Sequence, residues 1–233
     1  MSFNYSPKIV TDGLILCLDA ANPNSYVSGS TSWRDLSRGG NIGTLTNGPT
    51  YSGTNGGSIV FDGVNDYVVI PNNSNINIST NQISFGGWFY TTKTPNGGGN
   101  YQLLIGKSTG ASRQYCMFLS ALNTSNIYVT LTGTTFPQSD VVLSKPWAIN
   151  AWNYIMLSYN GSTFNIYLNG SVVNTTSTTG NITPQSYDVK IGFDPMETYI
   201  FAGRISQTSI YNRALSAAEV LQNYNATKTR FGL

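Results

Sequence analysis

Asp35, Ser37 and Asn41 bring three oxygen-bearing side chains together in one glycine-rich loop, which is the donor type a hard cation such as Ca²⁺ requires. Arg38 and Ile42 interrupt that loop, one adding a competing positive charge and both lowering the oxygen count. Calcium is therefore the one cofactor the chain suggests, and no other is expected. A second chemistry is offered by aromatic side chains. A pyranose stacks its C–H face on an aromatic ring while neighbouring polar groups bond its hydroxyls. Tyr101, Tyr115 and Trp147 are the candidate ligand-binding residues of that kind, with Tyr128, Tyr187 and Tyr199 also available. Each of these rings has an ordinary alternative use in a core or on a strand surface.

Catalysis lacks its parts. The 233 residues contain no histidine, which removes Ser-His-Asp, Cys-His and His-metal arrangements together. The only glutamates are Glu197, in an expected loop, and Glu219. Asp62 and Asp66 could be paired carboxylates or hard-cation ligands, but they bracket Gly63-Val64-Asn65, where an Asp organises a turn by bonding its backbone. No enzyme is expected.

The surface must be neutral. Charged residues make up 9% of the chain, against roughly 25% in an average soluble protein. Formal net charge is +2 and the basic residues are scattered, which argues against nucleic-acid binding. Cys17 and Cys116 sit inside apolar runs without metal or redox spacing, so buried free thiols are expected. The first residues show no basic stretch followed by an apolar one, and no run of eighteen apolar residues occurs, so neither a signal peptide nor a membrane span is expected.

The elements that must carry these residues read as short strands. Alternating runs recur between Gly, Asn, Pro and Thr clusters, the pattern of a sandwich or barrel. They include Leu14–Asp19, with Leu14, Leu16 and Leu18 on one face, then Ser58–Asp62, Tyr67–Ile70 and Ile83–Tyr90, the last with paired glycines that suggest a bulge or close backbone contact. Further strands are expected at Tyr101–Gly106, Gln114–Leu119, Ile127–Leu131 and Phe201–Tyr211. Asn160-Gly161 and Asn169-Gly170 predict a three-strand meander between Trp152 and Val173. In its middle strand Phe164, Ile166 and Leu168 should face the core, and Thr163, Asn165 and Tyr167 solvent or a partner. Residues 92–100 read as a hairpin tip and 132–150 as a long connection.

One helix closes the chain. Ser216 and Glu219 have capping-box spacing, while Leu215 and Val220 can staple the entry of the chain into the helix. Val220, Leu221 and Tyr224 are expected on its inward side. Arg213, just before it, is expected to pair with a carboxylate or backbone carbonyls.

Taken in order, Gly13 to Ala20, Trp33-Arg34-Asp35-Leu36-Ser37 with Asn41 to Leu45, Val60-Phe61-Asp62-Gly63, Asp66-Tyr67-Val68, Trp88, Trp152, and Gly203-Arg204-Ile205 through Tyr211 to Ser216 resemble the concanavalin A-like, laminin-G-like family. The resemblance implies an all-β fold, a two-sheet antiparallel jelly-roll sandwich with one short C-terminal helix, arranged as an N-terminal arm (1–13) and one domain (14–233). The enzymes of that superfamily use two glutamates at E-x-D-x-x-E spacing, and this motif is missing here. The segments Pro7 to Leu14 and Tyr224 to Leu233 are similar to the ends of laminin-G-like proteins of tailed bacteriophages. That narrower likeness implies a structural virion protein, a capsid decoration or tail component made in the host cytoplasm. Its partners would be other virion proteins and further copies of itself, reached by the terminal segments, with no nucleic acid or membrane. The alternative is a lectin-like module that binds a host-surface glycan.

Overall fold

The computed structural model describes residues 8–92, 101–110, 112–119, 126–133, 139–144, 147–194, 196 and 198–233. Two antiparallel sheets pack face to face, with a single α-helix near the C-terminus among the described residues. From one edge, the first sheet runs Ser171–Ser177, Thr163–Leu168, Trp152–Tyr159, Ile83–Thr91, Ala202–Tyr211, Ser58–Asp62 and Thr50–Ser52. Leu14–Asp19 pairs with the distal half of Ala202–Tyr211, beyond the stretch that Ser58–Asp62 occupies. The second sheet runs Ser139–Ser144, Asn126–Leu131, Ser112–Leu119, Gln102–Thr109, Val189–Ile191, Tyr67–Ile70, Ile42–Thr46 and Ser32–Arg34. The expected two-sheet jelly-roll sandwich with one short C-terminal helix is therefore the observed architecture.

Between the sheets lies the main core, built from inward-facing residues of both, among them Leu16, Leu18, Ile59, Phe61, Val68, Phe85, Ile105, Met117, Leu157, Phe164 and Ile205. The paired glycines of the central strand are there for closeness. A Cβ on Gly86 would stand 2.0 Å from the Ile155 carbonyl oxygen, and one on Gly87 1.9 Å from that of Gln207. Only glycine lets these strands approach on both flanks.

A second apolar cluster fills the space between the outer face of the first sheet and the helix Ala217–Thr227. It holds Trp88, Trp152, Tyr154, Met156, Tyr167, Tyr211, Leu215, Val220 and Phe231. This corrects three expectations. Tyr167, assigned to solvent or a partner, is buried here. Leu14 joins this cluster rather than the face of Leu16 and Leu18, because a bulge between Leu14 and Leu16 reverses the alternation. Leu221 is 45% exposed, and the inward helix positions are Val220, Asn223 and Thr227 with Tyr224 partly covered.

The helix start is built as its sequence indicates. The Ser216 hydroxyl accepts from the Glu219 amide at 3.3 Å, and the Glu219 carboxylate accepts from the Ser216 amide at 2.9 Å. The polar inward residues serve the cluster they touch: Trp88 Nε1 donates to Thr227 Oγ1 at 2.8 Å, and Asn223 Nδ2 to the Tyr211 hydroxyl at 3.0 Å. Residues 8–13 and the C-terminal turn, expected to reach a neighbour, pack on their own chain. Asn223 Oδ1 accepts from the Val10 amide at 2.8 Å, and Phe231 lies 4.2 Å from Trp88, ring centre to ring centre.

Ser58–Asp62 and Tyr67–Ile70 flank a turn yet lie in different sheets, so this turn is a corner of the sandwich and not a hairpin. Asp66 Oδ2 accepts from the Asp62 amide at 3.0 Å and Asp62 Oδ1 from the Val64 amide at 2.8 Å, the turn role expected of these carboxylates. Cys17 and Cys116 are free and buried. Glu197, residues 93–100 of the expected hairpin tip, and parts of the 132–150 connection lie outside the described residues.

Candidate functional site

On the face of the second sheet turned away from the main core, three tyrosines converge over a buried floor of Leu103, Cys116 and Phe118. Tyr101 leads into Gln102–Thr109, Tyr128 stands on Asn126–Leu131, and Tyr199 arrives on the short hairpin Phe193–Asp194 with Tyr199–Ile200. Alternation explains the floor: Cys116 and Phe118 point outward while Tyr115, Met117 and Leu119 join the main core. Gly106 makes room for it, since a Cβ there would lie 2.7 Å from Cys116 Sγ.

The rings are tightly arranged. Tyr128 stacks on Phe118 at 5.3 Å with 7° between planes, Tyr101 meets Phe118 edge-on at 5.1 Å, and Tyr199 lies 4.9 Å from Tyr101. The Arg113 guanidinium sits 5.0 Å from the Phe118 centroid and 5.6 Å from that of Tyr199, and its Nη2 donates to the Tyr199 hydroxyl at 3.1 Å. Such cation–π contacts help to fix the guanidinium over the rings. Beside the rings Asp194 accepts from the Ser108 hydroxyl at 2.7 Å and pairs with Lys190 at 3.2 Å. The hairpin that carries Tyr199 is thus tied to the sheet, with Ile200 N donating to the Tyr101 carbonyl at 3.0 Å.

Tyr101, Tyr128 and Tyr199 are half-buried, unlike the fully buried floor beneath them. A platform of phenol rings can stack an apolar ligand face and bond its polar rim through the phenol hydroxyls, while the buried Asp194 and Ser108 hold the hairpin beneath it.

Of the three aromatic residues singled out in the sequence, only Tyr101 belongs to this platform. Tyr115 is fully buried, packed 5.2 Å from Phe85, and burial pushes its phenol well above the ordinary range. Trp147 is also inside the main core, so neither presents a face to a ligand. Both corrections have one cause: a large ring on an inward strand position or under a loop is the cheapest way to fill a sandwich interior. Phe118 and Arg113 carry no sequence signal for the site, because the pattern places them on strands without saying which outer face stays open.

Asp35, Ser37 and Asn41 do come together, but around one another. Asp35 Oδ1 accepts from the amides of Cys17 and Ser37, both at 2.8 Å. Its Oδ2 accepts from the Ser37 hydroxyl at 2.8 Å, the Asn41 amide at 3.2 Å and Asn41 Nδ2 at 2.7 Å. Asn41 Oδ1 is taken by Asn73 Nδ2 at 2.7 Å. The oxygens that would hold Ca²⁺ are turned onto protein donors, so this arrangement does not fit a bound cation. Among the described residues, no group of three or more Cys, Asp or Glu is placed to hold a metal.

A family model described as the concanavalin A-like lectin/glucanases superfamily matches residues 62–221. No curated protein matches the sequence. Among solved structures, the binding domain of Paraclostridial Mosquitocidal Protein 1 superposes with a TM-score of 0.72 at 18% identity, over 92% of this chain and 52% of that one. The botulinum neurotoxin serotype D ligand-binding domain in complex with N-acetylneuraminic acid gives 0.69 at 14%, over 92% and 51%. Domain 4 of AbnA, an extracellular arabinanase from Geobacillus stearothermophilus in complex with arabinotriose, gives 0.68 at 17%, over 92% and 100%. The chain spans about half the length of the toxin domains it matches.

Proposed function

Because the chain belongs to the concanavalin A-like lectin/glucanases superfamily, we propose that it is a non-catalytic, glycan-binding module that stacks a sugar on the Tyr101–Tyr128–Tyr199 platform. The carrying observation is the convergence of those three half-buried rings from three separate elements onto one outer sheet face. Aromatic faces beside hydroxyl-bonding groups suit a carbohydrate, whose rings carry both an apolar face and a polar rim. Similar domains bind sugars: the AbnA domain takes arabinotriose and the toxin domain N-acetylneuraminic acid. A neutral surface with 9% charged residues favours such a ligand over a polyanion. Non-catalysis is supported by the histidine-free composition and by the missing E-x-D-x-x-E pair.

The expected place in a phage particle draws no support from the similar structures, and the adhesion reading stands ahead of it. A glycan array that includes arabino-oligosaccharides and sialylated glycans tests the proposal. Specific binding that is lost in Tyr128→Ala protein supports it; a blank array counts against it.

A further inference from the structure

Far along both sheets from the platform, Thr50–Ser52 ends the first sheet and Ser32–Arg34 ends the second. A cavity of about 370 Å³ opens there, lined by residues that lead into both edges, including Tyr51, Thr50, Thr31 and Ser28. That volume is within the ~300–1,000 Å³ of small-ligand sites.

Its floor is aromatic and its rim hydroxylic. Tyr26 and Tyr51 lie 5.4 Å apart with 30° between planes. Tyr26 is 5% exposed and its hydroxyl donates to the Ser30 carbonyl at 3.0 Å, so it pins the loop and backs Tyr51. Tyr51, half-buried, is the more exposed of the two rings and lines the cavity. Ser28, Thr31 and Thr50 are exposed, and their side chains make no hydrogen bond to other described residues. Gly48, at φ 105°, adds no bulk: a Cβ there would meet nothing within 4 Å, which leaves the wall open. No charged residue lines the cavity.

We propose that this edge cavity is a second carbohydrate site, which holds one neutral sugar ring stacked on Tyr51 with its hydroxyls bonded by Ser28, Thr31 and Thr50. The inference rests on the glycan-binding reading above but not on the platform itself. Its lining lacks any cation to meet a carboxylate, so uncharged sugars are the class it takes. Two separate sites on one chain would also let a branched or repeating glycan bind bivalently, with the second contact made at high effective concentration.

Saturation-transfer NMR tests it, with methyl β-D-galactopyranoside, methyl α-D-glucopyranoside and methyl α-L-arabinofuranoside as probes. Five proteins are compared: unaltered, Tyr128→Ala, Ser28→Trp, the two changes combined, and Tyr128→Ala with Tyr51→Phe. Ser28 is exposed, so the added indole fills the cavity without disturbing the core. At least one glycoside should still show transfer in Tyr128→Ala protein, falling at least fivefold when Ser28→Trp is added, and Tyr51→Phe should retain it. Transfer that vanishes with Tyr128→Ala alone and ignores Ser28→Trp overturns the second site while leaving the platform intact. Absence of transfer from all three glycosides in every protein also overturns it, whereas the platform is judged separately on oligosaccharides.

Discussion

Arg213 grips Glu219 with both terminal nitrogens, Nη1 to Oε2 at 3.1 Å and Nη2 to Oε1 at 2.6 Å, while the same carboxylate closes the capping box on Ser216. Arg213 also reaches Asp12 at 2.8 Å, so one guanidinium links the N-terminal segment, the last strand and the helix start. Its bonds hold the Glu219 carboxyl down to about 2, helped by the Ser216 amide and hydroxyl and opposed by partial burial. A carboxyl depressed in the folded state stabilises above its unfolded value of ~4.3 and loses that contribution as pH falls towards 2. Melting temperature should therefore decline over that window, and Glu219→Gln should flatten the decline while lowering stability at pH 7. A glutamine amide oxygen can still accept from the Ser216 amide, so the lost ion pair, partly screened by solvent, puts the cost at about 1 kcal/mol. A Glu219→Gln protein with an unchanged acid profile would show that the pair contributes nothing.

Thr227 is the acceptor for the Trp88 indole inside the second cluster. Thr227→Val keeps the shape and removes the acceptor, leaving a buried N–H unsatisfied at a cost of ~1–3 kcal/mol. Thermal denaturation should show a clear loss for Thr227→Val and near-full retention for Thr227→Ser. Equal melting of the two variants would mean that the bond carries no stability.

Both thiols should be inert until the protein unfolds. Burial, reinforced by the nearby Asp19 carboxylate, pushes Cys17 up to about 12, and Cys116 is 1% exposed beneath the tyrosines. Thiolate is the reactive form, so Ellman's reagent should find almost no reactive thiol at pH 8 in native protein and two in guanidinium. Rapid reaction of one thiol in the native state would reveal that the platform floor opens.

Asp35 is expected to act as a structural acceptor. Asp35→Ala strands the five donors that converge on it and should cost 2 kcal/mol or more, on the order of one to two unsatisfied buried groups. EGTA and millimolar Ca²⁺ should both leave the melting curve of the unaltered protein in place. A Ca²⁺-dependent rise of several degrees would show an ion entering the loop, because a ligand that binds only the folded state must stabilise it.

Much of the fold is legible in local patterns. Period-two alternation marks strands such as Ser58–Asp62 and Thr163–Leu168, and Asn169-Gly170 adopts the two positive φ angles, 51° and 81°, that its type favours. Asn160 does not follow it: its side chain accepts from the amides of Ser162 and Thr163, an Asx turn that local sequence does not separate from the first kind. The capping box is legible because all its partners lie within four residues. Tyr167 was not, since whether an outer strand face meets water or a helix depends on where residues 217–231 return. The platform fails for the same reason. Tyr101, Arg113, Tyr128 and Tyr199 are brought together by sheet order and one tethered hairpin, and nothing in their spacing encodes that meeting.

The glycan platform depends most directly on Tyr128, which stacks on Phe118 and is half-buried. The ring–ring contact contributes about 0.5–1.5 kcal/mol beyond the area the ring buries, so Tyr128→Ala protein must be shown to be folded at 25 °C. Isothermal titration against the best array glycan, run on unaltered and Tyr128→Ala proteins with circular dichroism as the folding control, separates binding from stability. At least a tenfold loss of affinity in a folded variant is the expected result. Unchanged affinity would contradict the assignment of this platform as the glycan site.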